Sequence, residues 1–452
     1  MDTSTDHPAP SPRPALFDWQ PSRVMLLILL CAALILRGRA MLTMSPSLRA
    51  DPDAYRGVAR HIYQDHTIGL WRQEFNMMTP TATRPPLYPL VLSAFNYLEL
   101  PSWDADAALY GLLHVVLGTA SVWVVWRLGL LWGLPPAGAV LAASLFTVDP
   151  ILINQSAQVM TETLATLLAL LALLALTHGA QQSSLRWQAA AGALIGLGVL
   201  CRPTFLFWLA LVALAQFPFR TSGTHRFVRL AALVAAAAVV LAPWGLRNQW
   251  LFGRPVITTT HGGFTLLLAN NPQFYDYLRS APWGSVWDGE PMYRWWETSQ
   301  RLIDTPGGLA CDELDADQRA YAEAWEHIRD EPTMFAYSCL VRVGRLWAVF
   351  PHQVSREESA SRRGLRYAVA IFYALELALA AVGAWTLGRR LLRSPWIWGT
   401  LLLLSFTAVH ALYWTDMRMR APLVGVVVLL AAQGVLVLAS RRHDAKPMAT
   451  AI

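Results

Sequence analysis

Charge is scarce in this sequence. Only 15% of its 452 residues are Asp, Glu, Lys or Arg, against about 25% in soluble domains, and that deficit excludes an ordinary water-soluble globule. Cysteine is scarcer still, four in the chain, too few for a disulfide-built scaffold. Cys31 and Cys201 fall in apolar runs, where a buried free thiol is expected; Cys311 and Cys339 fall in a polar segment and can pair if it faces an oxidising compartment. No small-residue cleavage site follows the apolar run 24–36, and Arg37 and Arg39 come next. That run reads as a retained helix continuing to about Met44, not as a removed signal peptide. No repeat period is visible. Nor is there a basic stripe: the net charge of +6 and pI near 9.3 come from arginines scattered in short loops. They suit topology signals and lipid-phosphate contacts better than nucleic acid.

What is abundant is apolar surface. The chain is 55% hydrophobic with a mean hydropathy of +0.35, and apolar runs near the ~20 residues needed to cross a bilayer recur throughout. The 20 Trp and 13 Tyr suit many helix ends at lipid interfaces. The expected fold is an all-α polytopic membrane protein of about ten crossing helices (range 9–13), with one external loop domain. Crossing segments are read at 24–44, 107–131, 137–150, 163–178, 187–200, 204–217, 228–246, 367–388, 396–414 and 421–440. Residues 86–98 are apolar but short, and 333–350 would place Arg342 and Arg345 mid-span, so both are expected to lie at the interface.

The positive-inside rule puts both termini in the cytoplasm, and an inner bacterial membrane is the expected location. The parts are then a disordered tail 1–22, an N-terminal membrane module 23–246 with its first external loop at 45–106, an external domain with an interfacial helix at 247–365, C-terminal helices 366–440 and a cytoplasmic tail 441–452.

Under that topology Asp51, Asp53, Arg84, Asp149, Glu162, Arg202, Arg247, Asp416, Arg418 and Arg420 all reach one outer face. Asp51 directly follows the first membrane helix and can cap a short helix with Pro52 in its first turn. Tyr55, Val58, Ala59 and Ile62 give that helix an apolar side, Arg56 and Arg60 a basic one. A carboxylate beside an interfacial helix suits an enzyme acting on a lipid-borne substrate; its bland alternative is a cap and nothing more.

Several short motifs occur in order: Asp51-x-x-x-Tyr55-x-x-x-Ala59, Arg84-Pro-Pro-Leu-Tyr-Pro89, Thr161-Glu-Thr-Leu164, Cys201-Arg-Pro203, Ala242-Pro-Trp-Gly-Leu-Arg-Asn248, Thr258-Thr-Thr-His-Gly-Gly-Phe264, Ala269-Asn-Asn-Pro272 and Arg418-Met-Arg-Ala-Pro422. Across residues 24–440 this set resembles the GT-C membrane glycosyltransferases. The nearest branch is the glycosyltransferase family 39-like one, related to protein O-mannosyltransferases and to the bacterial aminoarabinose transferase that modifies lipid A. The resemblance implies a transferase fed by a polyprenyl-phosphate-linked sugar, working on the periplasmic or lumenal face on a hydroxyl acceptor in a protein, lipid or glycan. It implies Asp51 as the base or acceptor-positioning acid, with Asp53 the second candidate. Glu162 matches a second acid after the third span, with Asp149 also considered. Arg84 matches the residue that contacts the lipid-linked phosphate, and Arg418 and Arg420 can serve the same leaving group. Tyr55, Arg202, Arg247 and His261 complete the substrate-binding candidates. The aminoarabinose transferases carry an acid immediately before the Arg84 position, and here it is Thr83. That departure counts against an aminoarabinose donor and against a metal held there. The sequence identifies no cofactor, and a divalent metal, with His261 as one ligand, stays open.

The chemistry is self-consistent. A leaving phosphate needs neutralising, which arginine does bidentately, and an attacking hydroxyl needs a carboxylate within hydrogen-bond reach. The competing class, a transporter or lipid flippase, calls for ionisable groups near mid-membrane and paired broken helices in two related halves. Neither pattern is visible.

Overall fold

The computed structural model describes residues 20–72, 77–99, 103–217, 224–282, 287–294, 309–351 and 358–444. The chain enters through α1 (Gln20–Thr43) and the single turn α2 (Ser45–Arg49), then reaches the amphipathic α3 (Tyr55–Asp65). Of the expected disordered tail, 20–22 are helical and 1–19 lie outside the described residues. α3 does not start at Pro52 as the sequence suggested. Pro52 and Asp53 form a turn, and Ala54 takes a left-handed backbone at φ 59° before the helix begins. Strands β1 (Gly69–Arg72) and β2 (Met77–Pro80) then pair antiparallel, with Gly69 opposite Pro80. This ribbon is the exception to the all-α expectation. Next comes α4 (Leu87–Asn96), ten residues long and too short to cross a bilayer.

The membrane helices that follow are α5 (Trp103–Leu131), α6 (Pro136–Val148), α8 (Glu162–Gln181), α9 (Leu185–Cys201), α10 (Phe205–Gln216) and α11 (Thr224–Phe252), with the short α7 (Pro150–Gln155) after α6. The segment after α11 folds into α12 (Gly262–Ala269), α13 (Pro272–Ser280), α14 (Leu309–Asp330) and α15 (Pro332–Leu346). The chain ends with α16 (Ala360–Leu387), α17 (Trp396–Leu412), a 3₁₀ turn at Met417–Leu423 and α18 (Val424–Asp444). Every apolar segment expected to cross is thus helical among the described residues. Six of these helices are long and apolar enough to cross by themselves; α6, α9, α10 and α17 are shorter.

Burial sorts the helices into two shells. The apolar window of α8 is 72% buried inside the protein and that of α18 is 61%, whereas α1, α11 and α16 are each 22% buried. The outer helices turn side chains such as Ile35, Val239 and Ile371 outward, where apolar groups cost nothing in lipid. Between helices in lipid the hydrophobic gain is small, so close packing decides. Gly192 of α9 faces the Leu233 carbonyl of α11, and Gly383 of α16 and Gly434 of α18 face the Leu430 and Leu379 carbonyls, with no room for a Cβ.

α12 and α14 share a small core of Leu266, Leu267, Leu268, Met292, Ala320 and Ala324, onto which Tyr413 and Trp414 pack. The arginine that argued against a span at 333–350 is a buried staple. Arg342 donates to the Ala411 carbonyl at 2.7 Å, to the Asn270 side-chain oxygen at 3.2 Å and to the Ala269 carbonyl, satisfying helix-end acceptors of α17 and α12. Arg342 also donates to the sulfur of Cys339 at 3.2 Å, and Cys339 is a free thiol. Of the conditional Cys311–Cys339 pair, the side chain of Cys311 lies outside the described residues.

Candidate active site at one end of the bundle

Where α8, α10 and α12 begin and α9 and α17 end, the structure encloses a cavity of about 820 Å³, within the range of small-molecule sites. Asp53, Tyr55, Arg84, Glu162, Arg202, His261 and Arg418 all line it. Asp51, Arg247 and Arg420 do not, and neither does Asp149.

Asp51 turns away for a local reason. Its two carboxylate oxygens accept the backbone N–H groups of Arg56 at 3.1 Å and Gly57 at 2.9 Å, two of the orphan donors in the first turn of α3. The cap is thus supplied by Asp51 from beyond the left-handed Ala54, which itself makes no side-chain cap. Asp53, at the turn, reaches the cavity instead. Its Oδ1 accepts from Arg84 Nη2 at 3.0 Å and its carbonyl accepts from Arg84 Nε at 2.9 Å. The Arg84 guanidinium also lies 5.8 Å over the ring of Tyr55, whose hydroxyl is held protonated mainly by burial.

Glu162, the first residue of α8, is only 1% exposed at its side chain, and its Oε1 lies 3.1 Å from Arg202 Nη1 and 3.7 Å from Arg418 Nε. Asp416 holds Arg418 from the other side, accepting its backbone N–H at 2.8 Å and lying 3.2 Å from its Nε. Two arginines are thereby fixed at the cavity wall by carboxylates behind them. His261 sits at the start of α12, stacked on Phe264 at 5.1 Å. Burial, reinforced by the positive charge of Arg84, pushes its pKa down to about 3, so its imidazole is neutral at physiological pH.

The remaining candidates bond to groups within the protein and do not line the cavity. Arg247 donates to the carbonyls of Thr81 at 2.8 Å and Ile68 at 2.7 Å, while its guanidinium lies 4.9 Å over Trp244. From the opposite side Glu313 of α14 accepts from the Thr81 hydroxyl and the Ala82 N–H, both at 2.7 Å, and from the Thr260 hydroxyl. The segment 81–82 is clamped between these two side chains, and the clamp aims Arg84 into the cavity. Arg420 donates to the Ala348 carbonyl at 2.6 Å and lies 4.1 Å over Tyr373, whose hydroxyl in turn bonds Asp149 at 3.2 Å. Asp149 also caps α7 through the Leu152 N–H at 2.9 Å. Arg420 and Asp149 thus belong to a buried cluster inside the bundle, and of the two acids weighed after the third span only Glu162 reaches the cavity.

Sequence reading missed one wall. Phe264, Tyr293, Tyr321, Tyr413 and Trp414 also line the cavity, and Gly262 lacks a side chain where Tyr321 closes in. Tyr413-Trp414 at the end of an apolar helix is the one signal that pointed there. Leu206 and Phe207 of α10 line the cavity while remaining two-fifths exposed, so the cavity reaches the apolar outer surface. Among the described residues no three His, Cys, Asp or Glu side chains converge as a metal-holding set, and His261 has no such companions.

Residues 83–245, which include Arg84, Glu162 and Arg202, match the family described as dolichyl-phosphate-mannose-protein mannosyltransferase. No curated protein matches the chain. Among solved structures, the oligosaccharyltransferase of Archaeoglobus fulgidus, tethered to an acceptor peptide, superposes with a TM-score of 0.56 at 14% identity, over 95% of this chain and 51% of that one. The oligosaccharyltransferase AglB from the same archaeon, in complex with an inhibitory peptide and a dolichol-phosphate, gives 0.52 at 15% identity, over 95% and 52%. The chain thus spans about half the length of the solved enzymes that it matches. ArnT from Cupriavidus metallidurans, bound to undecaprenyl phosphate, covers 94% of this chain and 79% of its own at 16% identity, with a TM-score of 0.39. Read together, the bundle and the archaeal likeness show a GT-C-type polytopic membrane fold, and residues 83–245 match the mannosyltransferase family model within it.

Proposed function

We propose that this protein transfers a sugar from a polyprenyl-phosphate-linked donor to a hydroxyl of a protein, lipid or glycan acceptor on the periplasmic or lumenal face. The observation that carries this reading is the cavity itself. It joins a carboxylate–arginine pair, Asp53 with Arg84, to two arginines braced by Glu162, and it opens to the lipid side at Leu206 and Phe207. A prenyl chain can stay in the membrane along α10 while its head group reaches the arginines.

In the reaction the acceptor oxygen bonds to the anomeric carbon as the bond from that carbon to the phosphate oxygen breaks. The electron pair leaves with the phosphate, and the acceptor proton passes to a carboxylate. Asp53 is the better base. Its side chain is 27% exposed in the cavity wall, whereas Glu162 at 1% lies behind two arginines and serves to position them. Arg84, Arg202 and Arg418 offer forked donors for the developing charge on the phosphate. The aromatic wall excludes water, the competing acceptor, and gives the acceptor a flat surface. The outward facing of the cavity is supported by the opposite bundle end, where Arg186, Arg226, Arg229, Arg389, Arg390 and Arg393 cluster near helix termini.

Mass spectrometry of envelope glycans, glycolipids and glycoproteins tests the reading in cells lacking the gene, then restored with wild type or with Asp53→Asn. A glycoform should vanish, return with wild type and stay absent with the variant. An envelope unchanged by loss of the gene refutes the proposal.

A further inference from the structure

The four helices that form the main cavity's membrane wall enclose a second cavity at their other ends, of about 320 Å³. It lies between the end of α8 at Ala180, the start of α9 at Gln188, the end of α10 at Gln216, the first turns of α11 and the start of α17. From Glu162 to Ala180, and from Cys201 back to Gln188, the helices rise roughly 20–27 Å, close to the thickness of a bilayer core. If one cavity stands at one headgroup layer, the other therefore stands at the opposite layer.

Its polar lining is unusual. Gln188 is 2% exposed and its side-chain oxygen meets no donor; Trp398 is 6% exposed and its indole N–H meets no acceptor; the amide nitrogen of Gln216 is likewise buried and unpartnered. Burying such groups without partners is costly, so an arrangement of three around one cavity points to a ligand that satisfies them. Arg226 and Arg229 add two positive charges at the mouth and Ser394 a hydroxyl. Of the unpartnered buried groups two are donors and one, the Gln188 oxygen, is an acceptor; with the arginines they describe a site for an anion that also carries a donor of its own. Beside the mouth Leu214, Phe217 and Phe227 are exposed apolar side chains, a surface that suits acyl chains and not a free ion.

We propose that this second cavity binds the phosphate headgroup of a membrane phospholipid, in the leaflet opposite the main cavity. The arginines and the indole N–H hold the phosphate, and the Gln188 oxygen accepts from a headgroup hydroxyl. That assignment favours phosphatidylglycerol over phosphatidylcholine, whose headgroup has no donor.

The test uses native mass spectrometry of the full-length protein released from micelles containing phosphatidylglycerol, phosphatidylcholine or undecaprenyl phosphate. Wild type should retain one phosphatidylglycerol under conditions that strip phosphatidylcholine. The double variant Arg226→Gln, Arg229→Gln should bind it about tenfold or more weakly, and Gln188→Leu should abolish the preference over phosphatidylcholine. A control pair on the same face but outside the cavity, Arg186→Gln with Arg390→Gln, should change nothing. Equal losses in the two double variants would reduce the effect to diffuse charge and overturn the proposal. So would equal retention of the two phospholipids, preferential retention of undecaprenyl phosphate, or displacement by millimolar inorganic phosphate.

Discussion

Replacing Asp53 by Asn separates chemistry from architecture, because the two neighbouring carboxylates have opposite placements. In Asp53→Asn the side-chain oxygen can still accept from Arg84 Nη2, now 3.0 Å away, and the Arg84 bond to the residue 53 carbonyl is untouched. The ion pair is lost, but its partners are 20% and 27% exposed, so the stability cost stays below about 1 kcal/mol. Loss of a general base removes ~10²–10⁴ of rate, or roughly 2.7–5.5 kcal/mol on the barrier. Asp51→Ala is the mirror case. It deletes two bonds to the first turn of α3, costing about 0.5–2 kcal/mol of stability, and leaves the turnover of the folded protein near wild type. The assay pairs restoration of the missing envelope glycoform with thermal unfolding of each purified variant in detergent. Wild-type turnover by Asp53→Asn together with an inactive but stable Asp51→Asn would refute the reasoning, and the cavity would not be the site of proton removal.

Other outcomes follow from the same geometry. Arg84→Ala should weaken polyprenyl-phosphate binding by roughly 1.5–3 kcal/mol, and Arg84→Lys should recover only part, since lysine keeps the charge and loses the fork; titration of the purified protein with the lipid checks both. Glu162→Gln leaves Arg202 and Arg418 facing each other without their shared acid, so it should lower stability by up to about 3 kcal/mol and slow transfer without weakening donor phosphate binding. His261 binds its proton only near pH 3 when folded but near its ordinary value of 6.5 when unfolded. Its contribution to stability is therefore complete above pH 6.5 and lost as pH falls toward 3. His261→Gln should flatten that acid loss in an unfolding series, while the pH profile of transfer between 5 and 8 keeps its shape.

Much of the membrane fold was legible because hydropathy and arginine placement act on whole segments. The helices at 24–44, 163–178 and 228–246 stand within a few residues of where the apolar runs placed them. The placement of Glu162 at the start of α8, of Arg202 at the end of α9 and of Arg84 just before α4 was legible as well. Which of Asp51 and Asp53 faces the cavity was not. It depends on Ala54 adopting φ 59°, a conformation that alanine rarely takes and that no local pattern announces. Arg247 was misplaced for a related reason. It stands near the end of α11 as expected, but its partners are carbonyls of Ile68 and Thr81, far off in sequence. The aromatic wall draws Tyr293 and Tyr321 from a polar segment whose periodicity says nothing about what it faces.

Three helices start at the main cavity: α8 at Glu162, α10 beside Thr204 and α12 beside His261. Each start directs the positive end of a helix macrodipole, about half an elementary charge, toward the same space, while the Phe205 and Leu206 N–H groups bond the Arg202 and Pro203 carbonyls and the Gly263 N–H bonds Asp317. Counting side chains alone gives Arg84, Arg202 and Arg418 against Asp53 and Glu162, an excess of a single positive charge. The oriented backbone adds a comparable amount that no mutation of a side chain removes and that mobile salt, kept out by the surrounding helices, screens poorly. An anionic head group is therefore drawn by a field built into the fold as much as by the arginines, and its binding should weaken far less with ionic strength than binding at an exposed basic surface.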